Sequence, residues 1–515
     1  MKNEPLLSRT AALTSTVESP SMKAIMVVGT TSHAGKSLLT TAICRMLMRK
    51  GWRVAPFKGQ NMALNSYVTV TGGEIGYAQA VQAWAAGVSP MVEMNPILLK
   101  PQGDTTSQVI IKGKPVGRVS AADYYEQYFQ TGWQVIEESL HHLTSEFDMV
   151  VCEGAGSPAE INLKHRDLTN MRVAKHLNAL TLLVVDIDRG GAFAHVVGTL
   201  ELLEPEERDL IRGIVINKFR GQRSILEPGI KWLEERTGIP VVGVIPWIEQ
   251  IFPAEDSVDL FERKSAKSQG ELNISVLRLP RISNFTDFDP LEAEPCVGLK
   301  YLSPKQELGH PDAVIIPGTK ATIADLLLLH KTGMAKAIQN YAAAGGTVLG
   351  ICGGFQILGQ HLADPEGVEG EAGRFPGLGL LPIKTVITGH KIARQRQVVS
   401  HFPQAGLPVI GYEIHQGRSR LAELPSHQAN SYQPLFDDAN LGMVDDCLLV
   451  WGTYLHGIFD NGPWRRAWLN RLRQQRGLKS LPTGISNYRE QRETMLDSLA
   501  QIVEAHLDLT PILSS

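Results

Sequence analysis

The chain has 515 residues, 43% of them hydrophobic and 20% charged, which is too long for one ordinary core and sets two or more soluble globular domains as the expectation. A formal net charge of -3 leaves no basic footprint for nucleic acid or an anionic membrane, so the expected partners are small molecules. Five cysteines (Cys44, Cys152, Cys296, Cys352 and Cys447) stand far apart without a CxxC pair, which argues against a zinc site or a disulfide framework and for a reducing, cytoplasmic setting.

Residues 1–22 are polar and rich in Ser and Thr, without the apolar centre of a signal peptide, and read as a flexible leader. No apolar run approaches the length of a membrane span. From residue 23 to 261, apolar runs alternate with helical patterns. Ala24 to Val28, Val54 to Phe57, Met149 to Cys152, Leu182 to Asp186, Gly213 to Asn217 and Val241 to Ile245 read as buried strands, with helices near 36–50, 73–87 and 226–237. Continuous rather than alternating hydrophobicity predicts strands covered on both faces, hence a largely parallel sheet. The polar segment 262–271, ERKSAKSQGE, is the candidate linker. A second α/β domain follows over 272–465, with strands at Ile274 to Leu279, Ala313 to Ile316, Thr347 to Ile351 and Leu448 to Tyr454, and a charged helical extension covers 466–515.

Directly after the first strand comes GTTSHAGKS, Gly29 to Ser37, running into a helix. Backbone N–H groups of such a loop (Gly29, Thr30, Ser32, Gly35) cradle phosphates, Lys36 neutralises them and the Ser37 hydroxyl is placed to ligate magnesium. A plain Gly-rich turn is the weaker alternative, given strand, loop, GKS and helix in that order. Five residues rather than four separate Gly29 from Gly35. In that spacing the loop resembles dethiobiotin synthetase and its relatives, which phosphorylate a carboxylate with ATP. The resemblance implies a phosphate contact for Lys58, in PFKGQN, and a magnesium-associated acid in Glu153, in VVCEGAG. Both stand at carboxyl ends of strands, where open α/β sheets bind ligands, although each alone could be an ordinary loop residue.

In the second domain GICGG, Gly350 to Gly354, places Cys352 between an apolar run and a helical pattern, the arrangement of a nucleophile elbow with the thiol lifted out and exposed. The thiol needs a base. His456, in GTYLHGIFD, is the candidate, and His415, in GYEIHQGR, is its competitor. The arrangement resembles the class I glutamine amidotransferase domain, which implies attack of Cys352 on glutamine and release of ammonia. The resemblance also assigns the oxyanion donors to the amide of Gly353 and to that of Gly318 in IIPGTK. Most class I members carry a glutamate two residues after the histidine, whereas Ile458 stands here; Glu413 or Asp460 is then left to orient His456, or a dyad suffices.

Fusion of the two domain types, with FKGQNMALNSYVT, EIGYAQAVQAWAAG, MNPILLKP, CEGAGSPAEINL, RDLTNM, DIDRGGAFA, NKFRG and GYEIHQG, is similar to the cobyrinate amidotransferase family from about residue 23 to about 500. The fold implied is an N-terminal P-loop, dethiobiotin-synthetase-like parallel sheet plus a C-terminal class I amidotransferase α/β domain. The segments point to the branch that uses glutamine, ATP and Mg2+ to amidate the b, d, e and g carboxylates of adenosylcobyrinic acid a,c-diamide. Gln60, Asn61, Asn65, Asp167 and Asn170 are the residues expected to grip the corrinoid or assist the acyl phosphate, with turn and cap formation the alternative for each. Asp186, Asp188 and Arg189 are second-tier candidates near the metal. Two rivals remain: the branch acting on the a and c carboxylates, and a partitioning-type ATPase with a non-catalytic second domain.

Overall fold

The computed structural model describes residues 23–103, 106–248, 270–370, 372–423 and 432–510. The expected leader 1–22 and most of the expected linker lie outside these.

Six parallel strands form the first sheet in the order Val241–Pro246, Ile211–Phe219, Leu180–Asp186, Lys23–Gly29, Met149–Glu153, Val54–Phe57. Their side chains are almost wholly buried, because helices cover both faces: Lys36–Arg49 on one side, Met171–Leu177 and Ala192–Leu202 on the other. Lys23–Gly29 and Met149–Glu153 lie side by side, so the phosphate loop and Glu153 emerge at the same end of the sheet.

Between the second strand and Met149 the chain builds more than periodicity foresaw. Gln60–Met62, Ile97–Pro101, Thr106–Ile111 and Lys114–Ser120 make a small second sheet, and Ala121–Glu146 is a long helix capped by the Ser120 hydroxyl. The helix expected near 73–87 is shorter, Tyr77–Ala85, because Glu74–Gly76 pairs as a strand with Ser66–Val68.

In the second domain a parallel core orders Val297–Leu302, Leu272–Leu277, Ala313–Ile316, Thr347–Ile351 and Val450–Thr453, extended by antiparallel Gly442–Asp445 and Tyr432–Pro434. A long hairpin, Ile383–Val399 with Pro408–Leu421, stands beside it and leans towards the first domain. Gln395 in this hairpin donates to the Val68 carbonyl, and Lys391 to Glu74.

The helical extension divides between the domains. Gly462–Gln475 packs Trp464 and Trp468 into the second core, whereas Tyr488–Glu504 returns to the first domain, burying Leu496, Leu499 and Val503 against the Lys36–Arg49 helix. Arg45, nearly buried, pairs there with Asp497 at 2.8 Å and Glu493 at 2.9 Å. No helix among the described residues is long and apolar enough to cross a membrane.

Candidate active sites

The phosphate loop is shaped by its neighbours. Gly35 ends it in a left-handed conformation (φ 98°), and a Cβ there would fall 2.0 Å from Asn217 Nδ2, so only glycine fits both the angle and the space. Asn217 Nδ2 donates to the Ala34 carbonyl at 2.8 Å, and Lys218 Nζ reaches the His33 carbonyl at 2.7 Å. These two braces went unassigned in the sequence, although NKFRG was conspicuous. Lys36 Nζ spans the loop, donating to the carbonyls of Thr31 at 3.2 Å and Gly156 at 3.0 Å. Thr30 Oγ1 is buried without a hydrogen-bond partner, and Ser32 lies exposed on the rim.

Glu153 gathers the polar groups. Its Oε1 accepts from Ser37 Oγ at 2.8 Å and from Lys58 Nζ at 2.7 Å, and its Oε2 from Gln82 Nε2 at 2.5 Å. At 1% exposure this carboxylate is tolerable only because a buried lysine and two further donors surround it. Gln82, on the helix Tyr77–Ala85, went unassigned in the sequence. Ser37 and Glu153 present hard oxygen donors side by side at a phosphate cradle, the donor chemistry that suits Mg2+ shared with phosphate oxygens.

The expected substrate-gripping residues disperse. Asn61, buried, donates to Gln79 Oε1 at 2.9 Å near this site, and Gln60 Oε1 accepts from Tyr124 at 2.6 Å. Asp167 Oδ1 accepts the amides of Thr169 and Asn170, while Asn170 Nδ2 ties down the Ala155 carbonyl at 2.8 Å, so both shape the loop after Glu153. Asn65 faces the other way, into the second domain, where its Oδ1 accepts from Phe285 N at 3.1 Å. Asp186 is engaged by Lys218 Nζ at 2.8 Å and by the Asp188 amide, and Asp188 by Arg220, which accounts for those carboxylates structurally.

Cys352 occupies the tip of the turn between Thr347–Ile351 and the helix Gly353–Leu358, at φ 52° and ψ -109°. Few residues other than glycine adopt such a backbone, and strain of this kind persists where surrounding packing over-determines it. Glycines supply that packing. A Cβ on Gly354 would lie 1.9 Å from the Ile316 carbonyl, and one on Gly350 would lie 2.5 Å from Gly354. The helix is thus drawn tightly over the strand, with Thr319 of the IIPGTK loop against Gly353. The expected exposure of the thiol is not found: Cys352 is 7% exposed and sits on the floor of a cleft, because the Pro408–Leu421 strand roofs it and Sγ lies 3.4 Å from the Ile414 carbonyl.

His456 is the histidine that the fold brings into the cleft of this thiol, held on its far side by a carboxylate. Its Nδ1 lies 2.7 Å from Asp287 Oδ2, and Asp287 Oδ1 accepts the Gly457 amide at 2.8 Å. Neither Glu413 nor Asp460 orients it: Glu413 is held by Arg394 and Arg396, and Asp460 faces Arg492 at 3.9 Å. The third carboxylate instead precedes Cys352 in the chain, in the turn Phe285–Phe288, which is why spacing from the histidine could not find it. Burial alone would push the imidazolium down. The Asp287 charge and hydrogen bond, reinforced by the charge of a Cys352 thiolate, overcome this and lift the His456 pKa to about 10. His415 faces the same cleft but bonds Gly417 O at 2.8 Å and stacks on Tyr454. A Cβ on Gly318 would touch His456 Cε1 at 3.2 Å, so the IIPGTK loop passes directly beside the base, and Gly353 opens the elbow helix.

Three lysines line the cleft: Lys320, Lys391 and, from the first domain, Lys100. Lys100 Nζ bonds Glu74 Oε1 at 2.7 Å, and Lys391 takes the other oxygen. Burial, with repulsion from Lys391 and Lys100, brings Lys320 down to about 7, while Glu369 nearby is raised by burial. Cations beside an acid on one wall present complementary charge to a zwitterionic amino acid.

Comparison with known proteins agrees with both halves. Residues 25–259 match the family model of the CobQ/CobB/MinD/ParA nucleotide binding domain, and residues 273–464 that of the CobB/CobQ-like glutamine amidotransferase domain. The cobyric acid synthase of Nostoc sp. (strain PCC 7120) is 79% identical over 492 residues, covering 96% of this chain and 99% of that protein. That of Trichormus variabilis is 80% identical over 95% and 99% of the two chains, and that of Trichodesmium erythraeum 68% over 96% and 100%. Identity this high along nearly the whole of both sequences shows that the chain belongs to the cobyric acid synthase family.

Proposed function

We propose that the protein amidates the b, d, e and g carboxylates of adenosylcobyrinic acid a,c-diamide with ATP and glutamine, giving adenosylcobyric acid. The observation that carries this reading is the coexistence of a buried Cys352–His456–Asp287 constellation with the Ser37–Lys58–Glu153 cluster, joined across one interface. A carboxylate resists amines until it is activated, and ammonium at neutral pH is no nucleophile. Each half supplies what the other lacks.

In the thiol site His456 takes the Sγ proton of Cys352, and Asp287 holds the imidazolium so formed. The thiolate attacks the glutamine side-chain amide, with the N–H groups of Gly353 and Gly318 receiving the oxyanion. His456 then returns its proton to the leaving nitrogen, releasing ammonia and a glutamyl thioester that water hydrolyses. In the other domain the backbone from Gly29 to Gly35, with Thr30 and Ser32, cradles the ATP phosphates, Lys36 and Lys58 offset their charge, and a substrate carboxylate attacks the terminal phosphorus. Ser37 and Glu153 would hold Mg2+, which supplies charge neutralisation to the phosphates. Ammonia displaces phosphate from the acyl phosphate to give the amide. Gln60 and Asn61 are the proposed corrinoid contacts, and Asp167 and Asn170 act through the loop after Glu153 that they hold in place.

Purified protein given glutamine, ATP, magnesium and the diamide should yield products stepping by one carboxylate-to-amide exchange in mass. Cys352→Ala should abolish amidation from glutamine and leave it intact at high ammonia. Absence of any ATP-dependent mass change with either nitrogen source would refute the reading.

A further inference from the structure

We infer that Asn65 and Asn284 form a clasp between the domains through which the synthetase half positions Asp287, and with it the base His456. The inference rests on the function proposed above and goes beyond it by giving the first domain a hold on glutamine hydrolysis.

The hydrogen bonds converge on a single turn. Asn65 Oδ1 accepts from Phe285 N at 3.1 Å, and reciprocally Asn284 Oδ1 accepts from Ser66 N at 3.1 Å. Asn284 Nδ2 donates to the Tyr412 hydroxyl at 3.3 Å, and that hydroxyl donates to the Ser66 carbonyl at 3.1 Å. All of these groups are buried, Asn65 and Asn284 at 2% exposure each. The Asp287 amide donates to the Asn284 carbonyl at 3.0 Å, so the residue clasped from the first domain is the one on which the Asp287 turn is built. Tyr412, in the same circuit, stacks on the His456 ring with centroids 5.4 Å apart. Both partners of the catalytic Asp–His pair are therefore reached from Ser66 and Asn65.

Other bonds cross the joint, from Gln395 to the Val68 carbonyl and from Lys391 to Glu74, but the asparagine pair lands on the two residues directly before Thr286 and Asp287. Asn284 is also held at φ 52°, a left-handed conformation that asparagine tolerates better than most residues, and it makes both a donated and an accepted bond there. Without those bonds nothing in its side chain rewards that conformation, and the turn loses its fixed start. A base whose carboxylate drifts by a fraction of an ångström loses its tautomer and aim, which lowers the rate of the chemical step while leaving glutamine affinity in place.

The test uses the full chain and reads glutamate release alongside amidation supported by ammonia. Asn284→Gly removes both side-chain bonds without a steric penalty at positive φ. It should lower the kcat of glutamine hydrolysis about tenfold, with KM unchanged within about twofold and ammonia-supported amidation intact. Combining it with Asp287→Asn should give a rate no lower than Asp287→Asn alone, because a positioning residue has nothing left to position. Asn65→Ala should repeat the pattern. A further drop in the double variant, an equal loss with both nitrogen donors, or hydrolysis at the parent rate would each overturn the clasp. Loss of ammonia-supported amidation in Asn65→Ala would overturn it in favour of a corrinoid contact for Asn65. Failure of the parent protein to amidate from ammonia would count against the proposed function instead.

Discussion

Replacing Asp287 by Asn tests the thiol site at its least anticipated member. The carboxylate serves two donors at once, His456 Nδ1 at 2.7 Å and Gly457 N at 2.8 Å, and an amide has only one oxygen to offer. The introduced side chain must therefore abandon the Gly457 amide or turn its NH2 towards Nδ1, which forces the imidazole proton onto Nε2 and leaves no base for the thiol. The charge is lost as well. With roughly 4 Å between charge centres and an effective dielectric of about 20, carboxylate and imidazolium attract by about 4 kcal/mol. That is on the order of a thousandfold in the stability of the imidazolium that forms when Cys352 ionises. Glutamate release should accordingly fall on the order of a thousandfold, while the ammonia-supported reaction stays at the parent rate and serves as the internal control. Hydrolysis within about fivefold of the parent rate would refute the assignment, since neither tautomer nor charge could then matter.

Lys58→Met should abolish ATP-dependent amidation with either nitrogen donor while sparing basal glutamate release. It should also destabilise the first domain by about 3–5 kcal/mol in denaturant titration, because Glu153 would stay buried without its cation. Gly354→Ala places a Cβ 1.9 Å from the Ile316 carbonyl, so the elbow helix must lift; a cost of roughly 3 kcal/mol and loss of glutaminase, followed by melting and glutamate release, is expected. The raised pKa of His456 makes the folded state the tighter proton binder. Its contribution to stability is complete below the unfolded value near 6.5 and is lost as pH rises through about 10. A melting-temperature profile should fall across that window in the parent and flatten in Asp287→Asn.

What the sequence made legible follows from locality. The phosphate loop, the elbow and the strand runs are each written in consecutive residues, and Gly35, Lys36, Cys352 and Gly353 stand where their spacing put them. Asp287 was out of reach because a catalytic carboxylate is defined by where it meets the histidine in space, and its neighbours SNFTDFD carry no spacing signature. Gln82 was out of reach for a related reason. Its helix has an apolar face that explains the element, and only the meeting with Glu153 shows a polar side chain turned inward. The burial of Cys352 reverses the expected exposure because the roof comes from Pro408–Leu421, a strand in a long hairpin whose mixed composition follows no period.

The charges at the joint explain why the two halves cannot be regarded as tethered but separate enzymes. Glu74 is 1% exposed, and a lone carboxylate there would be protonated or would unfold its surroundings. Burial does oppose its charge, but Lys100 and Lys391 outweigh burial and hold it well below the usual carboxylate range. Lys100 belongs to the first domain and Lys391 to the second, so undocking would take away one of the two cations that make Glu74 tolerable. The same undocking would strip Lys100 from the wall of the thiol cleft and relieve the repulsion that helps press Lys320 towards neutrality. The charge state of the glutamine cleft is thus a property of the docked pair of domains. Electrostatics and the asparagine clasp tie it to the first domain by independent means.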